Sequence, residues 1–172
     1  CYLRKINEIA SCRVCQVEIA GQDELRCACN TPAEEGMAAL TATPRVIEAR
    51  REALGLILST HRSECTTCPR SGNCALQKVA SDLALNPAPI QKAWEEPVWD
   101  AGFPLQRDAS KCIKCMRCVA ECEKVQHCAV WDFANTGTTQ RIRVHDELPI
   151  REAGCTLCGQ CITHCPTGAL TE

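Results

Sequence analysis

Cys112-Ile-Lys-Cys115-Met-Arg-Cys118-Val-Ala-Glu-Cys122 and Cys155-Thr-Leu-Cys158-Gly-Gln-Cys161-Ile-Thr-His-Cys165 repeat one spacing: three thiols two residues apart, then a fourth three residues on. This spacing suits cubane iron–sulfur clusters, because each triplet can wrap three irons from one loop while the fourth thiol reaches across to the cluster of the other copy. The eight cysteines predict two [4Fe–4S] clusters with crossed ligation. Cys112, Cys115, Cys118 and Cys165 are expected on one, and Cys155, Cys158, Cys161 and Cys122 on the other. The chemistry of such a pair is one-electron transfer. Glu123 follows the first copy where Pro166 follows the second, a difference that touches no ligand.

Two further groups lie upstream. Cys1, Cys12 and Cys15, with either Cys27 or Cys29, place four thiolates on loops around a small predicted sheet, which suits a [2Fe–2S] rhomb. Spacing does not separate Cys27 from Cys29, and a zinc site or unliganded buried thiols are the alternatives. In His61-x3-Cys65-x2-Cys68-x5-Cys74, three thiols leave one iron of a cubane open, and His61 lies close enough in sequence to close it. A neutral imidazole in place of a thiolate makes a cluster less negative, so its potential should rise, as in His-ligated Rieske centres. His61 can also be read as a helix-terminal residue complementing the macrodipole, or the four residues as a Cys3His zinc site.

Composition narrows the classes. The 172 residues include 17 Cys, an odd number in clusters whose neighbours cannot all pair, which argues for metal over disulfides. Zinc takes closed sets of four, and the triplet-plus-one repeats fit that badly. Net charge is −2, with no basic block and few aromatics, so nucleic acid is excluded as an expected partner. No apolar run approaches the roughly 20 residues needed to span a bilayer, and reduced thiols point to a reducing, cytoplasmic compartment. The chain opens on Cys1 where a nascent chain has Met, so an upstream segment is expected. Large apolar side chains are few, so cluster binding should supply much of the folding free energy and leave the apo chain largely unfolded.

The elements that must position these groups are short. Cys12 to Leu25 read as a hairpin turning at Gly21 and Asp23. Thr43-Pro44 is a helix start, and Val46, Ile47, Arg50, Leu54, Ile57 and Leu58 keep helical spacing to residue 59, so the helix presents His61 at its end. Residues 65–74 form a loop before a second short helix from Cys74 to about Ala84. Residues 86–106, with Asn-Pro-Ala-Pro and two Trp-containing segments, read as a linker with anchoring aromatics. Alternating runs about Asn135-Thr136-Gly137 predict a second hairpin over 129–145, with Trp131 and Phe133 on one face as core or as a lid over a cluster. Gly159 allows backbone N–H groups to approach sulfur. Lys114 and Arg117 bring positive charge near a cluster, although each alone reads as a solvated surface charge.

Taken in order, Cys1-x10-Cys12-x2-Cys15, His61-x3-Cys65-x2-Cys68-x5-Cys74 and the paired cubane motifs resemble the N-terminal iron–sulfur region shared by [FeFe] hydrogenase catalytic subunits, the large iron–sulfur subunit of respiratory complex I and NAD-dependent formate dehydrogenase alpha subunits. Cys12-Arg-Val-Cys15-Gln-Val-Glu-Ile-Ala-Gly21, followed by Ala28-Cys29-Asn-Thr-Pro32, matches the first ligand set of that family, and the resemblance therefore implies Cys29 as the fourth [2Fe–2S] ligand and Cys27 and Cys128 as extra thiols. Lys111 to Val119 with Lys124-Val125-Gln126, and Cys158 to Leu170, look closest to the hydrogenases of NAD(P)-linked complexes.

The resemblance implies an α+β chain of small modular domains. These are a partial β-grasp [2Fe–2S] domain over 1–40, a small His-ligated [4Fe–4S] domain over 41–90, and a two-cluster ferredoxin-like domain over 91–172. It implies one [2Fe–2S] and three [4Fe–4S] clusters, an H-cluster only in a downstream domain, and no catalytic residue among these 172. Flavin- and NAD(P)-binding subunits, a small [2Fe–2S] subunit and ferredoxin are the implied partners. The expected function is a relay of single electrons to a hydrogen-activating centre. An equivalent relay of a formate dehydrogenase or complex I subunit, and a free-standing polyferredoxin, are the rival readings.

Overall fold

The computed structural model describes residues 1–85 and 99–172. The part of the expected linker that runs from 86 to 98, with Trp94, lies outside them.

Strand β1 (Gln16–Ile19) pairs antiparallel with β2 (Arg26–Cys27) through the expected turn at Gly21, and on its other edge with β3 (Ala39–Leu40). Val17 and Ile19 alternate inward along β1. Helix α1 (Pro44–Leu58) begins where Thr43-Pro44 predicted. The Thr43 hydroxyl accepts the Val46 N–H at 3.2 Å and donates to the Glu18 carboxylate at 2.9 Å, so one residue both caps the helix and ties it to β1. Arg50 adds a second tie, donating to the Gln16 carbonyl at 2.8 Å. Leu54 and Leu58 of α1 then meet Leu76 of α2 (Ala75–Asp82) in a small core that also takes in Cys74 and Ile113.

The larger core belongs to residues 99–172. Strand β4 (Gln106–Arg107) pairs with β7 (Leu170–Thr171), which closes the two ends of this stretch on each other. Between them lie α3 (Arg117–Lys124), the hairpin β5 (Trp131–Ala134) and β6 (Arg141–Val144), and α4 (Gln160–His164). Phe103, Leu105, Val130, Trp131, Ile142 and Ile150 are buried there with Cys122, Cys161 and Cys165.

Two expectations need correcting. Residues 99–106 are not linker: Phe103 and Leu105 are core, and the Trp99 ring stacks on Trp131 with centroids 6.0 Å apart. Apolar side chains that find a surface to bury outweigh the Pro and Gly of the segment. Phe133 does not share the burial of Trp131; it is 46% exposed, although its cross-strand partner Ile142 is buried in the core.

Candidate metal centres

The eight cysteines of the repeated motifs line two cavities. Cys155, Cys158 and Cys161 share one of about 260 Å³ with Cys122 and Cys128. Cys112, Cys115, Cys118 and Cys165 share the other, which is narrower, at about 30 Å³. Each cavity thus takes a triplet from one motif and the fourth cysteine of the other. Among the described residues, no three His, Cys, Asp or Glu side chains converge on the position of a single ion. Thiols spread around a void suit a multi-atom iron–sulfur core better than one tetrahedral zinc.

The loops carry a repeated backbone conformation. Lys114 and Leu157, which precede the second cysteine of each triplet, have φ of 56° and 58°. Met116 and Gly159, which precede the helices, have φ of 65° and 71°. Left-handed residues at these positions curl the N–H groups inward, as in an anion-binding nest. The Lys114 N–H accordingly donates to Cys112 Sγ at 3.4 Å. Gly159 takes this conformation freely, whereas Met116 takes it at a cost of about 1–2 kcal/mol. Sequence reading identified only the glycine.

Burial pushes the Cys112 and Cys161 thiols up to about 11 and Cys118 well above its ordinary value. Without metal these thiols are held protonated at neutral pH, and iron would have to displace the protons. Trp131 lines both cavities. The expected choice between core and lid is therefore resolved as core between the two sites.

The third group rests on the loops of the narrower cavity. The His61 ring stands with Nδ1 3.1 Å from the Lys111 carbonyl, and the same carbonyl accepts the Thr167 hydroxyl at 2.8 Å. Burial lowers the His61 pKa, so the ring is neutral. With Nδ1–H donating to a carbonyl, Nε2 keeps its lone pair for a metal. Cys74 Sγ lies 3.7 Å from the Pro166 carbonyl, and Cys68 Sγ sits where a Cβ on Gly168 would come within 2.9 Å. Arg70 donates to the Cys165 carbonyl at 2.9 Å.

At the N-terminal group, Cys1 Sγ and Cys12 Sγ are 3.3 Å apart. Cys27 and Cys29 stand near Cys15, and burial pushes the Cys29 thiol up to about 11. The five sulfurs are gathered together, and both candidate fourth ligands stand beside Cys15. Asn7, 1% exposed, ties this group to the narrower cavity, donating to the Cys1 carbonyl at 2.8 Å and to the Cys115 carbonyl at 2.9 Å. Arg117 is not the solvated charge its sequence suggests. It donates to the carbonyls of Cys1, Tyr2 and His164 at 3.4, 2.7 and 3.3 Å. Neither Asn7 nor this role of Arg117 left a signal in sequence, since each depends on partners more than 45 positions away.

Comparison with known proteins follows the same three groups. Residues 2–44 match the 2Fe-2S iron-sulfur cluster binding domain, residues 50–87 the NADH-ubiquinone oxidoreductase-G iron-sulfur binding region, and residues 111–169 the 4Fe-4S dicluster domain. The chain is 40% identical over 167 residues to the NADP-reducing hydrogenase subunit HndD of Solidesulfovibrio fructosivorans, covering 96% of this chain and 28% of that protein. It is 32% identical over 171 residues to the NADPH-Fe(3+) oxidoreductase subunit alpha of Geobacter sulfurreducens, covering 99% of this chain and 20% of that protein. Its fold matches a crystal structure of an NAD+-reducing [NiFe]-hydrogenase in the H2-reduced state, with a TM-score of 0.84 at 23% identity, covering 99% of this chain and 73% of that one. Among the described residues no helix is long and apolar enough to cross a membrane.

Proposed function

We propose that this chain, an iron–sulfur binding region of the NADH-ubiquinone oxidoreductase-G kind, is the electron relay of an NAD(P)-linked [FeFe] hydrogenase. It divides into a partial β-grasp unit over 1–40, a His-ligated unit over 41–90 and a ferredoxin-like unit over 91–172. Cys1, Cys12, Cys15 and Cys29 hold a [2Fe–2S] cluster. His61 Nε2, Cys65, Cys68 and Cys74 hold a [4Fe–4S] cluster, and the two crossed sets hold two more. These clusters supply one-electron redox chemistry when bound. The chain's own contribution is to fix their spacing and aim N–H groups at the sulfurs.

One observation carries the reading: both upstream groups are anchored on backbone that belongs to the Cys112/Cys115/Cys118/Cys165 loops, Cys1 through Asn7 and His61 through the Lys111 carbonyl. That cavity is a junction with two arms, and the Cys122/Cys155/Cys158/Cys161 cavity follows it across Trp131. A free carrier needs one docking edge, whereas a relay between a flavin- or NAD(P)-binding partner and a hydrogen-activating centre needs separate ends.

The test is reduction of the full-length enzyme under hydrogen, under NAD(P)H and under formate, followed by paramagnetic resonance. Signals from these clusters should develop with hydrogen and with NAD(P)H. Reduction by formate and not by hydrogen would replace the hydrogenase reading with the formate dehydrogenase one.

A further inference from the structure

The larger cavity has a fifth thiol. Cys128 lines it with Cys122, Cys155, Cys158 and Cys161, yet belongs to neither repeated motif. Cys122 Sγ accepts the Val130 N–H at 3.3 Å. Cys128 Sγ donates to the Gln126 carbonyl at 3.3 Å. It also lies 3.8 Å from the Thr156 hydroxyl, inside the Cys155–Cys158 loop. The Cys128 N–H donates to the Cys122 carbonyl at 2.9 Å, and left-handed residues His127 and Ala129 on either side turn the loop back over Cys122.

We propose that Cys128 is a reserve ligand for the cluster of Cys155, Cys158 and Cys161, taking the fourth iron when Cys122 does not hold it. The inference rests on the iron–sulfur reading of this cavity. In the exchange, the bond from iron to Cys122 sulfur breaks and that thiolate takes a proton from water. Cys128 releases its proton to water and its sulfur bonds to the iron. No electron is gained or lost. The benefit is local: Cys158 is solvent-exposed, so this cavity is open to reagents that strip a ligand, and a second thiol at the Cys122 corner keeps the cubane from losing its iron.

The test uses anaerobically purified wild type, Cys122→Ala, Cys128→Ala and the double variant, with iron counted per chain and spectra taken after dithionite. Wild type and Cys128→Ala should hold about 14 irons, from one [2Fe–2S] and three [4Fe–4S] clusters, and Cys122→Ala should keep the same number with one cluster's signal altered. The double variant should lose about four. Cys122→Ser, which preserves volume, guards against a folding defect. Iodoacetamide should label Cys128 in wild type and fail to label it in Cys122→Ala. Loss of about four irons in Cys122→Ala and Cys122→Ser, with Cys128 still labelled, overturns the proposal, as does full iron retention in the double variant. Wild type without iron would overturn the iron–sulfur reading itself.

Discussion

His61 is held by the Lys111 carbonyl, 3.1 Å from its Nδ1, so the imidazole that would close one cluster is oriented by the residue immediately before Cys112, the first thiol of the next. The ring's tautomer is thereby set by the neighbouring site, and Nε2 is the nitrogen left for iron.

Replacing that neutral ligand with an anionic one should shift one cluster and spare the rest. In His61→Cys, the third [4Fe–4S] cluster is expected to titrate more negative by on the order of a hundred millivolts, the direction implied by His-for-Cys exchange in Rieske centres. Potentiometric titration followed by paramagnetic resonance measures this, and an unshifted cluster would show that His61 is not a ligand.

Gly168 faces the same centre from the other side. A Cβ there would meet Cys68 Sγ at 2.9 Å, with Lys111 Cδ at 3.5 Å and Arg70 Cγ at 3.6 Å behind it. Gly168→Ala should push Cys68 off its position and cost the chain about four irons while both crossed sites stay filled. Iron analysis with site-resolved spectra checks this.

Asn7 uses both amide hydrogens on cluster-loop carbonyls. Asn7→Leu takes this donor from the Cys115 carbonyl, while the Cys1 carbonyl keeps Arg117, and should cost about 1–3 kcal/mol. The expected signature is faster hydrogen exchange over residues 1–7 and weaker magnetic coupling between the [2Fe–2S] centre and its neighbour, with the iron count unchanged. Equal exchange rates in wild type and variant would remove Asn7 from the role of tie.

Stripping the iron should unfold the 99–172 stretch. Cys122, Cys161 and Cys165 sit in the same core as Trp131 and Ile142, so the folding free energy that cluster binding supplies is lost from that core when the iron goes. Chelation after oxidation should therefore abolish most helical circular dichroism. Retention of the helical signal in iron-free protein would show that the apolar core suffices alone.

Residue type and short-range spacing determined much of this protein. The candidate ligands stand a few residues apart in loops, helix α1 announces itself by Thr43 and Pro44 and ends within a residue of its expected position, and alternation about Asn135-Thr136-Gly137 marked the β5–β6 hairpin. These are local signals, written in stretches of a dozen residues. What only the tertiary structure decided is how the groups meet. Asn7 reaches Cys115 across 108 positions, His61 reaches Lys111 across 50, and Arg117 turns from apparent surface charge into a clasp on Cys1 and Tyr2. Trp131 lies between two cavities while Phe133, two residues on, faces solvent, and Met116 adopts the backbone expected of a glycine. Each of these depends on which surface arrives opposite a side chain, and burial, hydrogen bonding and strain are properties of that pairing, which residue type alone does not specify.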